Sequence, residues 1–133
     1  MKFLLIDDDE VTNFINSKII KNVYPNADIT VALNGIEALN VIEAHKQEGK
    51  ASFDIVYVDI SMPVMDGWMF IEKISSEQYK QQQQAYYVML TSSVFEDDVE
   101  KAKNYAVIKL FLTKPLDPRH VNETIDLYKK GNL

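Results

Sequence analysis

Short apolar runs alternate with longer amphipathic stretches along the whole chain, and this alternation constrains the fold more than any other feature. The runs Phe3–Ile6, Asp28–Ala32, Phe53–Val58, Tyr86–Leu90 and Ile108–Leu112 are strand candidates. Asp28–Ala32 is the least apolar of them. Most of the others are near-continuous apolar runs, the pattern of parallel strands covered on both faces. Helices are predicted between them. Val11, Phe14, Ile15, Ile19 and Ile20 share a helical spacing behind the acidic start Asp9-Glu10. Asn34 and Glu37 form a capping-box pattern that opens a second helix to about His45. Asp66 can cap a third, carrying Trp68, Phe70, Ile71 and Ile74. Glu96 to Tyr105 reads as a charged fourth helix. Asp117 followed by Pro118 opens a fifth, which ends in Lys129, Lys130 and Gly131.

Strands alternating with helices predict an α/β fold, a doubly wound five-stranded parallel sheet with five helices. Right-handed crossovers leave few topologies, and the strand order 2-1-3-4-5 is expected. A length of 133 residues fits one domain, spanning 1–133 with no output domain, and an apolar share of 47% supports a sizeable core. The net charge of -6 and a pI near 4.8 argue against direct nucleic-acid binding, which needs a basic face. No cysteine is present, so disulfides and thiol chemistry are excluded. The first apolar run is too short for a signal peptide or a membrane span, so a soluble cytoplasmic protein with no membrane partner is expected. The glutamine-rich stretch EQYKQQQQAYY reads as a solvated extension of the third helix and the loop behind it.

In a sheet of this kind, ligands bind beyond the carboxyl ends of the strands at the switch in strand order. Asp7-Asp8-Asp9 follow the first strand, Asp59 the third, Thr91-Ser92-Ser93 the fourth and Thr113-Lys114-Pro115 the fifth. Two carboxylates about 4 Å apart repel by roughly 4 kcal/mol at an effective dielectric near 20. Three such groups need a cation between them. Oxygen-only ligands select a hard ion, magnesium rather than zinc. Asp9 is assigned to capping the first helix, Asp7 and Asp8 to the metal site opposite Asp59. An aspartate can attack phosphorus to give an acyl phosphate, and phosphoryl transfer needs mainly alignment and charge neutralisation. Lys114 suits a phosphoryl oxygen. Its bond to Pro115 is a candidate cis peptide. Thr91 either binds a phosphoryl oxygen or merely ends its strand.

These residues together resemble a known family. Ile6 to Asp9, the segment VDISMPVMDG from Val58 to Gly67, Leu90-Thr91-Ser92 and Leu112 to Leu116 occur in the order and spacing of the response-regulator receiver domain of bacterial two-component systems. The match covers residues 2 to 130, and its form is that of a stand-alone, chemotaxis-regulator-like receiver with a flavodoxin-like fold. The resemblance implies a phosphoacceptor at Asp59. It implies a direct Mg2+ ligand at Asp8, a water-mediated one at Asp7 and a backbone carbonyl ligand at Ser61. It implies a switch hydroxyl at Thr91, a switch aromatic at Phe111 and a phosphoryl partner at Lys114. It implies a sensor histidine kinase or phosphotransfer protein as donor. It also implies a downstream protein partner that reads the face made by the fourth helix, fifth strand and fifth helix. The protein is expected to be a monomer or weak dimer and not a turnover enzyme.

Some positions depart from the family pattern. Phe111 lacks a hydroxyl to bond outward, and a plain core phenylalanine is the alternative reading. Ala106 stands where a glycine is common, and Asn104 is the candidate for a left-handed residue in its place. Ser61 and Ser93 occupy positions that tune autodephosphorylation. Two other functions compete. A phosphatase with an aspartate nucleophile would want a second acid where Ser61 stands. A phosphorylation-independent, receiver-like adaptor would be expected to lack an acid or the lysine. His45 and His120 read as solvated helix residues, Trp68 as a packing residue.

Overall fold

The computed structural model describes residues 1–50, 52–92 and 96–131. Five strands, β1 (Lys2–Ile6), β2 (Asp28–Ala32), β3 (Ile55–Asp59), β4 (Tyr86–Thr91) and β5 (Ile108–Thr113), form one parallel sheet in the order β2-β1-β3-β4-β5. The helices α1 (Glu10–Val23), α2 (Gly35–Gln47), α3 (Gly67–Ile74), α4 (Glu96–Ala102) and α5 (Pro118–Gly131) connect them. The predicted doubly wound topology is therefore the observed one.

Alternate strand residues feed two cores, because successive side chains point to opposite faces. Leu4, Ile6, Val56, Val58, Tyr87 and Met89 pack with α2 and α3 side chains such as Ile42, Phe70 and Ile71. Phe3, Leu5, Ile55, Tyr57, Val88 and Leu90 pack with Ile20 of α1 and Val121 and Ile125 of α5. Every residue of β3 is buried, which explains why its sequence is a continuous apolar run up to Asp59. Helix starts follow their caps. Asp9 accepts from the amides of Val11 and Thr12. Asn34 accepts from Glu37, Asp66 from Met69 and Asp117 from His120, each at 2.9 Å.

Four local expectations are corrected. A sixth helical segment, of 3-10 type with a kink at Tyr79, covers Glu77–Gln84 where a solvated extension of α3 was expected. Tyr79 and Gln82 are buried, the Tyr87 hydroxyl donates to the Gln82 carbonyl (2.8 Å), and the Gln83 amide caps the Ile74 carbonyl at the end of α3 (2.8 Å). The glutamines close the helix end instead of solvating it. Second, α4 stops at Ala102 rather than Tyr105. The amides of Lys103, Asn104 and Tyr105 each reach back only three residues, which tightens the chain out of α-helix. Third, α1 buries only part of the apolar set read from its sequence, Ile20 fully and Ile19 partly. Asn13, Asn16 and Ile20 face inward, while Val11, Phe14 and Ile15 are 64%, 62% and 50% exposed. Fourth, His45 is only partly solvated: its ring stacks on Phe53 at 4.7 Å, and burial pulls its pKa down. Trp68 packs as expected, with the Lys101 ammonium 4.9 Å above its ring.

Among the described residues the left-handed non-glycine residue is Val64, at φ +68°, and not Asn104. A β-branched side chain is costly in that region. Val64 sits in the loop after β3 and is 74% exposed, so its side chain adds little packing to offset the strain. Val64→Gly is expected to raise stability by about 1 kcal/mol, read as a higher denaturation midpoint with an unchanged slope. A lower midpoint would show that the valine contributes contacts that outweigh its backbone.

Candidate functional site

Sheet register assembles the site. Ile6 pairs with Val58, so Asp7 leaves β1 beside Asp59, the last residue of β3. Asp59 pairs with Leu90, so Thr91 lies one step further along β4. Thr91 pairs with Thr113, which brings Lys114 to the same rim, where its amide donates to the Thr91 carbonyl at 2.7 Å. Residues separated by up to 107 positions meet at the carboxyl ends of neighbouring strands.

Asp7, Asp8 and Asp59 each offer a carboxylate oxygen within 4.8 Å of the others. Asp7 and Asp59 are buried, and Asp8 is exposed. The Lys114 ammonium lies between two of them, 2.7 Å from Asp7 Oδ2 and 3.1 Å from Asp59 Oδ1. One cation faces three acids, so the cluster remains net negative. Burial, then the charge of Asp7, pushes the Asp59 carboxyl above the usual carboxylate range, against the opposing pull of Lys114. For Lys114, burial favours the neutral amine, but the hydrogen bond to Asp7 and the charges of Asp59 and Asp7 outweigh it, and its pKa is raised. The donor set is all oxygen, has excess negative charge and has one ligand open to solvent. It fits a hard, partly hydrated divalent cation such as Mg2+.

Asp9 stands apart from this cluster as the N-cap. Its Oδ1 accepts from Val11 at 2.9 Å and its Oδ2 from the Thr12 hydroxyl at 3.1 Å. The bond to the Thr12 side chain, then those to the backbone, hold its pKa low. Ser61 is exposed in the loop after β3, and the buried Met62 behind it anchors that loop. Thr91 is 7% exposed. Phe111 is half-buried on β5 against the core on the α3 side. The Lys114–Pro115 bond is cis. Ser93 lies outside the described residues.

Two contributors were not read from the sequence. Gly67 opens α3 with its amide on the Ile60 carbonyl, and a Cβ there would stand 2.5 Å from the Asp59 carbonyl oxygen. The loop therefore folds back onto Asp59 only with glycine at this position. Asn13 donates its side-chain amide to the Asp7 carbonyl at 2.8 Å. The one available signal was a polar residue on the inner face of a helix, but the apolar spacing pointed to the opposite face.

Comparison with known proteins agrees with this fold. A family model described as the response regulator receiver domain matches residues 3–126. The chain is 31% identical over 133 residues to hybrid signal transduction histidine kinase L of Dictyostelium discoideum, covering 98% of this chain and 7% of that protein. It spans at most about half the length of the first curated relatives it matches. A two component response regulator from Cytophaga hutchinsonii superposes with a TM-score of 0.88 at 26% identity, covering 97% of this chain and 96% of that one. The Vibrio cholerae chemotaxis protein CheY4 shares the fold at a TM-score of 0.79 and 24% identity, covering 96% and 97% of the two chains. A family match over nearly the whole chain, on a fold whose strand ends bring three acids and a lysine together, leads to one statement: this chain belongs to the response regulator receiver domain family.

Proposed function

We propose that the chain is a phosphorylation-activated switch in which Asp59 accepts a phosphoryl group from a phosphohistidine on a sensor histidine kinase or phosphotransfer protein. The observation that carries this reading is the Lys114 ammonium held between Asp7 and Asp59 beside an exposed Asp8. Mg2+, when bound, supplies the charge neutralisation that lets an anionic donor approach an acidic cluster. Asp8, Asp59 and the Ser61 carbonyl would hold it directly, and Asp7 through a water. An Asp59 oxygen attacks phosphorus in line, the N–P bond breaks, and the donor imidazole keeps the electron pair. The new group carries a charge of about -2. Lys114 and the Thr91 hydroxyl then turn to its oxygens. Thr91 ends β4 and Lys114 follows β5, so their movement reaches Phe111 and the α4-β5-α5 face that a downstream protein would read. Retention of all three acids and the lysine disfavours the phosphorylation-independent adaptor. Ser61 in place of a second acid disfavours steady phosphatase turnover.

The test uses beryllofluoride, which mimics an aspartyl phosphate, with Mg2+. Backbone amide resonances around Asp59 and Thr91 and along β5 are expected to move in the wild type and stay in place in Asp59→Asn. An unmoved wild-type spectrum, or equal movement in the variant, would remove the proposal.

The exposed ridge of α1 supplies a place for the donor. Val11, Phe14 and Ile15 lie on the helix that starts at the acid cluster, and Ile15 borders a trench of about 380 Å³ shared with Lys114, Pro115 and Leu116. Apolar side chains exposed beside a charged site suit a protein partner. Ile15→Lys is expected to slow transfer from a phosphorylated protein donor about tenfold, which corresponds to roughly 1.4 kcal/mol. Stability and phosphorylation by acetyl phosphate should stay near wild type. Equal slowing with both donors would place Ile15 in the chemistry instead.

A further inference from the structure

Asn13 and Asn16 occupy the inner face of α1, at 3% and 6% exposure, where a helix that only had to pack would present apolar side chains. The Asn13 amide nitrogen donates to the Asp7 carbonyl at 2.8 Å. A carbonyl can only accept, so the chemistry fixes which end of the Asn13 side chain faces it. The other end, Oδ1, is buried and has no hydrogen-bond partner among the described residues. An unpaired buried acceptor is destabilising, and a leucine here would remove this one while leaving the Asp7 carbonyl without a donor. The position therefore keeps a donor in spite of a cost elsewhere in the same side chain.

That donor completes the restraint of Asp7. The Asp7 amide donates to the Ala32 carbonyl at 3.1 Å. Its Oδ1 accepts from the Asp9 amide at 2.9 Å, and its Oδ2 from Lys114 at 2.7 Å. Its carbonyl belongs to the planar Asp7–Asp8 peptide, whose orientation sets the direction in which Asp8 leaves the strand. We propose that Asn13 is a positioning residue of the acidic site: by gripping this peptide it holds the carboxylates of Asp7 and Asp8 convergent on Asp59, and divalent-cation affinity depends on that grip. The inference rests on reading the cluster as a Mg2+ site.

The test is a Mg2+ titration of the full chain followed by amide NMR, with thermal melts in the absence of metal. Asn13→Leu is expected to raise the Mg2+ dissociation constant about tenfold, the size of effect that outer-shell partners of a metal site have. Its melting temperature should stay within a few °C of the wild type, since the leucine removes the unpaired Oδ1 but leaves the Asp7 carbonyl without its donor. Against an Asp8→Asn background the same change should alter the constant clearly less, because the direct ligand that the gripped peptide aims is already gone. If the leucine variant does not fold, Asn13→Ser removes the same grip with a smaller side chain. Unchanged Mg2+ affinity in a folded Asn13 variant, or full additivity with Asp8→Asn, would overturn the inference. A wild type that binds no Mg2+ would overturn the metal-site reading itself, which separates the two failures.

Discussion

Asp59→Asn is expected to abolish phosphorylation by acetyl phosphate and by any phosphohistidine donor, and to give a more stable protein. The first effect is chemical: an amide oxygen is a poor nucleophile and cannot form the acyl phosphate. The second is electrostatic. Burial and the Asp7 charge raise the folded-state pKa of Asp59 despite Lys114. A carboxyl whose folded pKa exceeds its unfolded value of about 3.9 contributes stability below that value and loses it as pH rises through the folded pKa. A neutral amide of the same shape avoids that loss. Carboxylate repulsion of roughly 4 kcal/mol at 4 Å, largely offset by the lysine, leaves a net gain of about 1–2 kcal/mol. For a chain of this size that is a rise of several °C in melting temperature. The gap between variant and wild type should narrow as the pH falls through the raised folded-state pKa of Asp59 and the carboxyl becomes protonated, and should narrow likewise with saturating Mg2+. Mass spectrometry after acetyl phosphate treatment reads the first effect and thermal melts across pH the second. A phosphorylated Asp59→Asn, or a variant less stable than wild type at pH 7, would contradict the site geometry.

Lys114→Met is expected to have the opposite sign. The ammonium touches Asp7 and Asp59, whose side chains are 5% and 8% exposed, while its own is 22% exposed. Removing one partner of a buried ion pair typically costs about 3–5 kcal/mol, because the other charge stays buried and unpaired. Partial exposure of this lysine lets water screen some of that, so a loss of about 2–3 kcal/mol is expected. Burial alone would lower the Lys114 pKa, but the Asp7 hydrogen bond and the two carboxylates leave it raised. Its stabilising contribution is therefore complete below the ordinary lysine value and disappears only as pH rises through the folded one. The full loss should be visible in denaturant melts at neutral pH. Mg2+ should restore more stability to Lys114→Met than it adds to wild type, since two anions then lack a counter-charge. Adding Asp59→Asn should recover part of the loss, a non-additivity diagnostic of contact. A Lys114→Met protein as stable as wild type would mean that the ammonium does not sit between the acids.

The alternation of strands and helices, the four helix caps and the placement of the acids and Lys114 at strand ends were all readable from the residues in order. Each depends on contacts within a few positions: a periodicity, a side chain reaching an amide three residues on, or a polar group directly after an apolar run. The same reasoning failed for α1. Val11, Phe14 and Ile15 were read with Ile19 and Ile20 as one inner face, yet only the isoleucines at its far end reach the core, and Asn13 and Asn16 turn inward beside Ile20. Which stripe is buried depends on how the helix meets β1, where a polar carbonyl at Asp7 favours an amide over a methyl group. The glutamine-rich 3-10 segment was misread for a related reason, since its partners are the end of α3 and the Tyr87 hydroxyl.

The amino-acid order by itself determined which chemical groups the protein owns and at which end of the sheet each emerges, because strand direction and side-chain alternation are local properties. Only the tertiary structure decided that Lys114 lies within ion-pair distance of Asp7 and Asp59 and that Asn13 donates to the Asp7 carbonyl. Those distances are set by register between strands and by the seating of α1, and both are fixed by packing across the whole core rather than by any neighbouring stretch of chain.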